Sequence, residues 1–183
     1  MDKNLIVASN RGPVEFFLRN GKIEMKRGAG GLVSTLLPFM SEVNGTWVAS
    51  AMTEGDREVA GKYKKCLVPI PEENPEFCVS LVGVDPEIYK DYYSVISNPL
   101  IWFVQHYMWD TPYVPVIDDK IHKAWHDSYV FVNKVFAERI IEEAKNSEKH
   151  PLIMLQDYHL YTCPRFIREK LEDTFLSHFI HIP

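Results

Sequence analysis

Residues 10–32 read NRGPVEFFLRNGKIEMKRGAGGL and follow directly on an apolar run, Leu5-Ile6-Val7-Ala8. Val14, Phe16 and Leu18 alternate on one arm of this stretch and Ile23 and Met25 on the other, with Asn20-Gly21 between them. Asn-Gly is the strongest short hairpin signal, because both residues tolerate positive φ. Gly28-Ala29-Gly30-Gly31 then precedes an apolar stretch, Leu32 to Met40, with helical spacing at Leu32, Leu36 and Leu37. The order is buried strand, Arg11, hairpin, glycines, helix. Bare backbone at a helix start leaves N–H groups unpaired at the positive end of the dipole, which suits an anion and most often phosphate. Glycine lets the anion approach closely, and Arg11 would add a fork-shaped cation. The same glycines also fit a plain sharp corner, and Arg11 a surface position. Neither GxGxxG nor the P-loop pattern is present.

Working outward, Gly45 to Ala49 reads as a second core strand and residues 52–65 as a polar connection. Leu67-Val68-Pro69-Ile70 reads as a short strand, PEENPE (71–76) as a turn, and Phe77 to Val82 as another strand. Pro86 to Ser97 suits a helix with proline in its first turn. Asn98-Pro99 is expected to break it and open a second helix through Met108, followed by a loop at 110–115. Asp118 caps a long helix with Ile121, Trp125, Tyr129, Val132, Phe136 and Ile140 on one face. His150-Pro151 ends that unit, and Leu152-Ile153-Met154-Leu155 is a continuous apolar run, as a central parallel strand should be. Pro164 to Asp173 reads as a helix and Phe179 to Ile182 as the start of a strand. The fold class this predicts is α/β: an open, mostly parallel, Rossmann-like sheet flanked by helices, with a β-hairpin inserted near the N-terminus. Ligands of such sheets sit outside the carboxyl ends of the strands. That rule gathers Asn10-Arg11, Gln156-Asp157-Tyr158-His159 and His181.

The chain has 183 residues, enough for one domain with a core, and its 46% hydrophobic and 25% charged content is that of a soluble globular protein. A net charge of −5 argues against a nucleic-acid partner. No apolar run approaches the roughly 20 residues that span a bilayer, and MDKNLIVASN lacks a signal peptide's pattern. The three cysteines, Cys66, Cys78 and Cys163, form no CxxC pair. Reduced structural thiols in a cytoplasmic protein are expected, with no metal bound through them.

Asp157 behind a buried strand can accept hydrogen bonds from sugar hydroxyls, or cap the segment that starts at Tyr158. His181, read inside an apolar strand, fits a satisfied core histidine. Tyr92, Tyr93 and Trp102, near Ser97-Asn98, fit core packing, or ring faces and polar edges for a sugar. Trp125, Tyr129 and Phe136 follow the helical stripe and are assigned to packing. His122, His126 and Asp127 form no HExxH pattern and read as a solvated face, as do Lys62, Lys64 and Lys65. No residue pair presents itself as a covalent nucleophile system, which leaves leaving-group stabilisation and positioning as the chemistry.

SNR at 9–11, GAGGL at 28–32, YYSVISNPLIW at 92–102, WHDSYVFVN at 125–133, QDYHL at 156–160 and HIP at 181–183 resemble, in order, the N-terminal half of the trehalose-6-phosphate synthase family. The resemblance covers essentially the whole chain. It implies a retaining glycosyltransferase of GT-B architecture, with residues 1–183 as the N-terminal, acceptor-side Rossmann-like domain and the C-terminal donor domain absent. It implies transfer of glucose from UDP-glucose to glucose 6-phosphate, giving trehalose 6-phosphate and UDP, with no cofactor and no metal. By the same resemblance, Arg11 grips the acceptor's phosphate, Tyr93 and Trp102 shape the acceptor pocket, and Asp157 holds acceptor hydroxyls. Gly30 and Gly31 offer N–H groups to the donor's diphosphate, and His181 faces the donor glucose. His181 and Asp157 are the implied catalytic residues. The hairpin is expected to act as a movable flap.

The sequence departs from the family at two points. It stops at HIP, where the family continues into a second Rossmann domain that holds the nucleotide. The stretch VASAMTEGD after Trp47 also lacks a second tryptophan. An isolated chain of this length is expected to be inactive, its missing domain supplied in cis or as a separate chain, and a homo-oligomer is compatible with it. The alternatives are a related glucosylglycerol-phosphate or pseudo-glycosyl synthase, a stand-alone phosphosugar-binding subunit, or an unrelated Rossmann-like module.

Overall fold

The structure is a computed structural model that describes residues 3–28, 30–63, 67–70, 76–108 and 115–181. Ala29, Lys64, Lys65, Cys66, most of the expected turn at 71–76, most of the expected loop at 110–115, and Ile182-Pro183 lie outside the described residues. Eight strands are described: β1 (Lys3–Ser9), β2 (Val14–Arg19), β3 (Lys22–Arg27), β4 (Thr46–Ser50), β5 (Leu67–Ile70), β6 (Phe77–Val82), β7 (His150–Gln156) and β8 (Phe175–Phe179). Six of them form one sheet in the order β5-β6-β4-β1-β7-β8. Every pairing in it is parallel except β5 with β6. The expected open, mostly parallel sheet is therefore the sheet found.

β1 alternates its side chains between two cores. Leu5 and Val7 join one cluster with Met40, Trp47, Val59, Val79 and Leu81, while Ile6 and Ala8 join the other with Tyr129, Val132, Phe136, Ile140, Ile153 and Leu155. Cover on both faces is why β1 and β7 read as unbroken apolar runs. Helix α1 (Gly31–Val43) lies against the first face and α2 (Glu54–Lys62) beside it. Helices α3 (residues 86–105) and α4 (residues 119–145) cover the second face, followed by a 3₁₀ turn at Tyr158–Leu160 and α5 (Cys163–Arg168).

The hairpin forms as the sequence predicts. Phe16 pairs with Met25 and Leu18 with Ile23, and Asn20 and Gly21 turn the chain at φ 51° and 73°. Its near end is pinned, with Val14 and Phe16 buried, while all of β3 is exposed.

Five expectations are corrected. Residues 52–65 contain helix α2, begun by a capping box in which Thr53 and Asp56 exchange bonds. Asn98-Pro99 does not break α3, because Tyr92–Trp102 adopts wider i→i+5 turns in which Ser97 Oγ donates to the Tyr92 carbonyl at 2.8 Å. The wider turn relieves the clash a proline ring makes with the preceding turn. β7 begins at His150, so His150-Pro151 opens a strand. The last strand is Phe175–Phe179, and His181 lies beyond its end, exposed; α5 is correspondingly shorter than Pro164 to Asp173.

Asp56, 2% exposed, ties α2 to the hairpin. Its Oδ1 accepts from Phe16 N at 2.8 Å and its Oδ2 from Met52 N and Thr53 N, each at 2.9 Å. Asp56→Ala strands all three donors. It should cost about 3 kcal/mol in urea unfolding and speed proteolysis of residues 14–27, with Asp56→Asn falling between the two.

Candidate active site at the strand ends

The parallel strands run outward from β1 through β4 to β6, and then from β1 the other way through β7 to β8. The order reverses between β1 and β7, which is where open α/β sheets place ligands. Ser9, Asn10 and Arg11 leave β1 at this point, and Gln156, Asp157, Tyr158 and His159 leave β7 beside them. Two adjoining hollows open there. The smaller, about 180 Å³, is lined by residues 9–11, 30–33, Tyr93, Asp157 and His159. The larger, about 800 Å³, shares Gly31, Leu32 and Asp157 with it and extends past Gln156 and His178 to His181.

Arg11 is exposed, but its backbone is set from below. Trp47 Nε1 donates to Ser9 Oγ at 2.8 Å, and Ser9 Oγ donates to the Arg11 carbonyl at 2.6 Å. The Tyr93 hydroxyl beside the guanidinium holds the Arg11 pKa above its ordinary value, with Glu15 adding a smaller share. Asn10, 3% exposed, is fixed through Oδ1, which accepts from Ser50 Oγ at 3.0 Å and Tyr89 OH at 3.2 Å. Its Nδ2 is buried with no partner.

Across the hollow, α1 starts at Gly31 with Gly30 at its N-cap. Gly30 sits at φ 125°, a conformation other residues rarely adopt, and supplies no side-chain cap. The first-turn N–H groups of α1 therefore keep their positive end open to a ligand.

Asp157 also has positive φ, 69°. Its backbone is clamped to β8: its N–H donates to the Phe179 carbonyl at 2.7 Å and its own carbonyl pairs with His178 Nε2 at 2.8 Å. Its carboxylate accepts from Tyr158 N at 3.0 Å and also borders both hollows. The cap is therefore formed, and Asp157 is at the same time a lining residue of both hollows. Gln156, 2% exposed, pairs its Oε1 with His181 Nε2 at 2.8 Å, and its own Nε2 is buried without a partner.

Of the residues singled out in the sequence, Arg11, Gly30, Gly31, Tyr93 and Asp157 converge on the smaller hollow, and His181 stands at the far end of the larger one. Trp102 lines neither. It is 37% exposed and packs on His106 with ring centroids 3.9 Å apart. His122 and His126 are exposed, as a solvated face requires, and Cys163 is buried as a free thiol with Cys78 partly so. No helix among the described residues is long and apolar enough to cross a membrane.

The sequence reading passed over what holds the β7 loop. Tyr129 OH donates to the Tyr158 carbonyl at 2.5 Å, and Tyr92 OH to the His159 carbonyl at 3.2 Å. Asn133 Nδ2 donates to the His159 carbonyl at 3.0 Å, and its Oδ1 accepts from Thr162 N and Cys163 N. The available signal was a wholly buried asparagine one helical turn beyond Tyr129 on an apolar stripe. Ser50, polar at the end of β4, could have been found by the same strand-end rule that found Arg11.

The chain belongs to glycosyltransferase family 20, whose family model matches residues 3–183. The trehalose-6-phosphate synthase of Mycobacterium ulcerans (strain Agy99) is 32% identical over 184 residues, taking in 100% of this chain and 33% of the relative. Among solved structures, a trehalose-6-phosphate synthase from E. coli bound with UDP-2-fluoro glucose superposes with a TM-score of 0.69 at 21% identity, over 98% of this chain and 33% of that one. A UDP-forming alpha,alpha-trehalose-phosphate synthase from Burkholderia xenovorans in complex with glucose-6-phosphate does so with a TM-score of 0.65 at 22% identity, over 98% and 34%. The chain spans about one third of the length of the curated relatives it matches.

The His159 ring stacks between Tyr93 and Tyr158, with centroids 5.7 and 4.1 Å away. Burial, and secondly the charge of Arg11, lowers its pKa from 6.5 to about 4. The folded value lies below the unfolded one, so the unfolded chain takes up the proton first as pH falls. This contribution to stability is whole above pH 6.5 and is lost between 6.5 and about 4, roughly 3 kcal/mol in all. Wild type should therefore lose about 2 kcal/mol more than His159→Gln between pH 7 and pH 4.5 in urea unfolding. Parallel pH profiles would contradict the assignment.

Proposed function

We propose that this chain supplies the acceptor side of a retaining glucosyltransferase that moves glucose from UDP-glucose to glucose 6-phosphate, yielding trehalose 6-phosphate and UDP. One observation carries the reading: a guanidinium and the bare start of a helix border a single hollow, with a carboxylate between that hollow and the next. Family membership and relatives whose descriptions include a UDP-glucose analogue and glucose-6-phosphate support it.

In this reading Arg11 holds the phosphate of the acceptor through charge-assisted bonds, with the Tyr93 hydroxyl alongside. Asp157 accepts from ring hydroxyls of the acceptor and so orients the one that attacks. The amides of Gly30 and Gly31 face the donor's diphosphate, where negative charge grows as the glycosidic bond breaks. His181, braced by Gln156, faces the donor sugar. The attacking hydroxyl approaches on the side from which the diphosphate leaves, and a leaving phosphate oxygen takes its proton. No protein nucleophile is then needed, and the protein's share is position and electrostatics.

Calorimetric titration of this chain tests the acceptor half directly. Glucose 6-phosphate should bind, glucose should bind far more weakly, and UDP-glucose should bind little. Arg11→Ala should weaken glucose 6-phosphate binding by about 10- to 100-fold, the equivalent of one or two charged hydrogen bonds. Equal binding by wild type and Arg11→Ala would sink the proposal.

A further inference from the structure

Asn10 sits beside Arg11 and borders the smaller hollow, yet its carboxamide is half used. Two hydroxyls converge on Oδ1, from Ser50 and Tyr89, and neither residue lines the hollow. Burial pushes the Tyr89 hydroxyl up to about 12, so it stays protonated and donates. In this orientation of the amide both hydroxyls lie within hydrogen-bond distance of Oδ1. Its main-chain carbonyl is taken as well, by Ser50 N at 3.1 Å. What remains is Nδ2, which is shielded from bulk water and has no partner.

A buried donor left unmade is costly, and the great majority of such groups in folded proteins are paired. Asn10 itself is among the residues that line a cavity whose other features favour an anion: Arg11 and the open start of α1. His159, on the same wall, is the other lining residue with a buried unpartnered nitrogen, and its depressed pKa keeps it neutral.

We propose that Asn10 is a ligand-binding residue, its Nδ2 donating to a phosphate oxygen of the sugar phosphate held by Arg11. The inference rests on the reading of the hollow as a sugar-phosphate site. Because Nδ2 is closed off in the free protein, contact requires the ligand to seat and the side chains around it to shift slightly. Ser50 and Tyr89 then act as positioning residues: they hold the carboxamide with its nitrogen toward the anion.

Asn10→Asp is the discriminating variant. It keeps an oxygen for Ser50 and Tyr89 but puts a second acceptor where the donor stood, facing an anion. Titrations of the 183-residue chain with glucose 6-phosphate and with inorganic phosphate, alongside thermal unfolding, read the result. Wild type should bind glucose 6-phosphate, and Asn10→Asp should weaken both ligands by about 10- to 100-fold, with Tm lowered by the buried carboxylate but unfolding still cooperative. Ser50→Ala, outside the hollow, loosens the amide and should weaken binding by a few-fold; it serves as the readout should Asn10→Asp fail to fold. Undiminished binding by a folded Asn10→Asp, or by Ser50→Ala where that is the readout, overturns the inference and leaves the acceptor-site reading intact. Loss of glucose 6-phosphate binding with phosphate binding unchanged assigns Nδ2 to a sugar hydroxyl and overturns the phosphate contact. A wild-type chain that binds neither ligand overturns the acceptor-site reading itself, and this inference with it.

Discussion

β1 is hydrogen-bonded on both sides by parallel strands, β4 and β7, and this pairing brings the functional rim together. Parallel pairing sends all three carboxyl ends to the same edge. Ala8 lies opposite Leu155 on one side and Ser9 opposite Ala49 on the other, so Asn10 emerges beside Ser50, and Gln156 beside Ser9. A slip of one residue in either pairing would exchange the faces of an entire strand and bury a different set of side chains. The Leu5/Val7 and Ile6/Ala8 alternation, with a separate core on each side, penalises that slip. The polar rim is registered by the apolar interior beneath it.

Polar scaffolding takes over where the strands stop. A chain that leaves β7 through a residue at φ 69° is in a conformation that costs a non-glycine residue on the order of 1 kcal/mol or more. The hydroxyls of Tyr92 and Tyr129 and the amide of Asn133 hold the four or so residues beyond it in place. These groups come from α3 and α4, whose other faces pack the core. The helices that cover the sheet therefore also aim the Asp157 carboxylate. The preorganisation of the rim is distributed over side chains that never touch its hollows.

Much of this could be read from the sequence, because the signals were local and strong. Asn20-Gly21 between alternating arms fixed the hairpin, and two apolar runs followed by polar residues located β1, β7 and the rim they share. The misreadings have physical causes. Helix α2 has low apolar content, so periodicity passed over it; its cap, Thr53 followed by Asp56, was the better signal. Proline at 99 marks a break in an ordinary α-helix, but wider turns accommodate it, and nothing local announces them. β8 is an edge strand whose Phe175 and Phe179 are exposed, so the apolar peak at its far end drew the boundary too late and placed His181 inside a strand. The link between Asn10, Ser50 and Tyr89 joins residues as many as 79 positions apart in the chain, a distance no spacing rule reaches.

The two hollows share one wall, to which Asp157, Gly31 and Leu32 contribute. On one side stand a cation and the positive end of a helix, and between the two cavities stands the Asp157 carboxylate, with Gly31 and Leu32 completing the division. Under the proposed function, a ligand with an anionic group at one end and hydroxyls at the other is polarised to match: its anion would go to Arg11 and its hydroxyls toward Asp157. A neutral sugar would satisfy only the carboxylate, and a bare phosphate only the guanidinium. Recognition of both ends at once therefore sets the orientation of a sugar phosphate, and with it which hydroxyl points over the wall. His159, kept neutral between two tyrosine rings, adds no positive charge that would pull the phosphate away from Arg11. Under the proposed function, the selection of one hydroxyl for attack thus follows from where a single fixed charge of each sign sits relative to one shared wall.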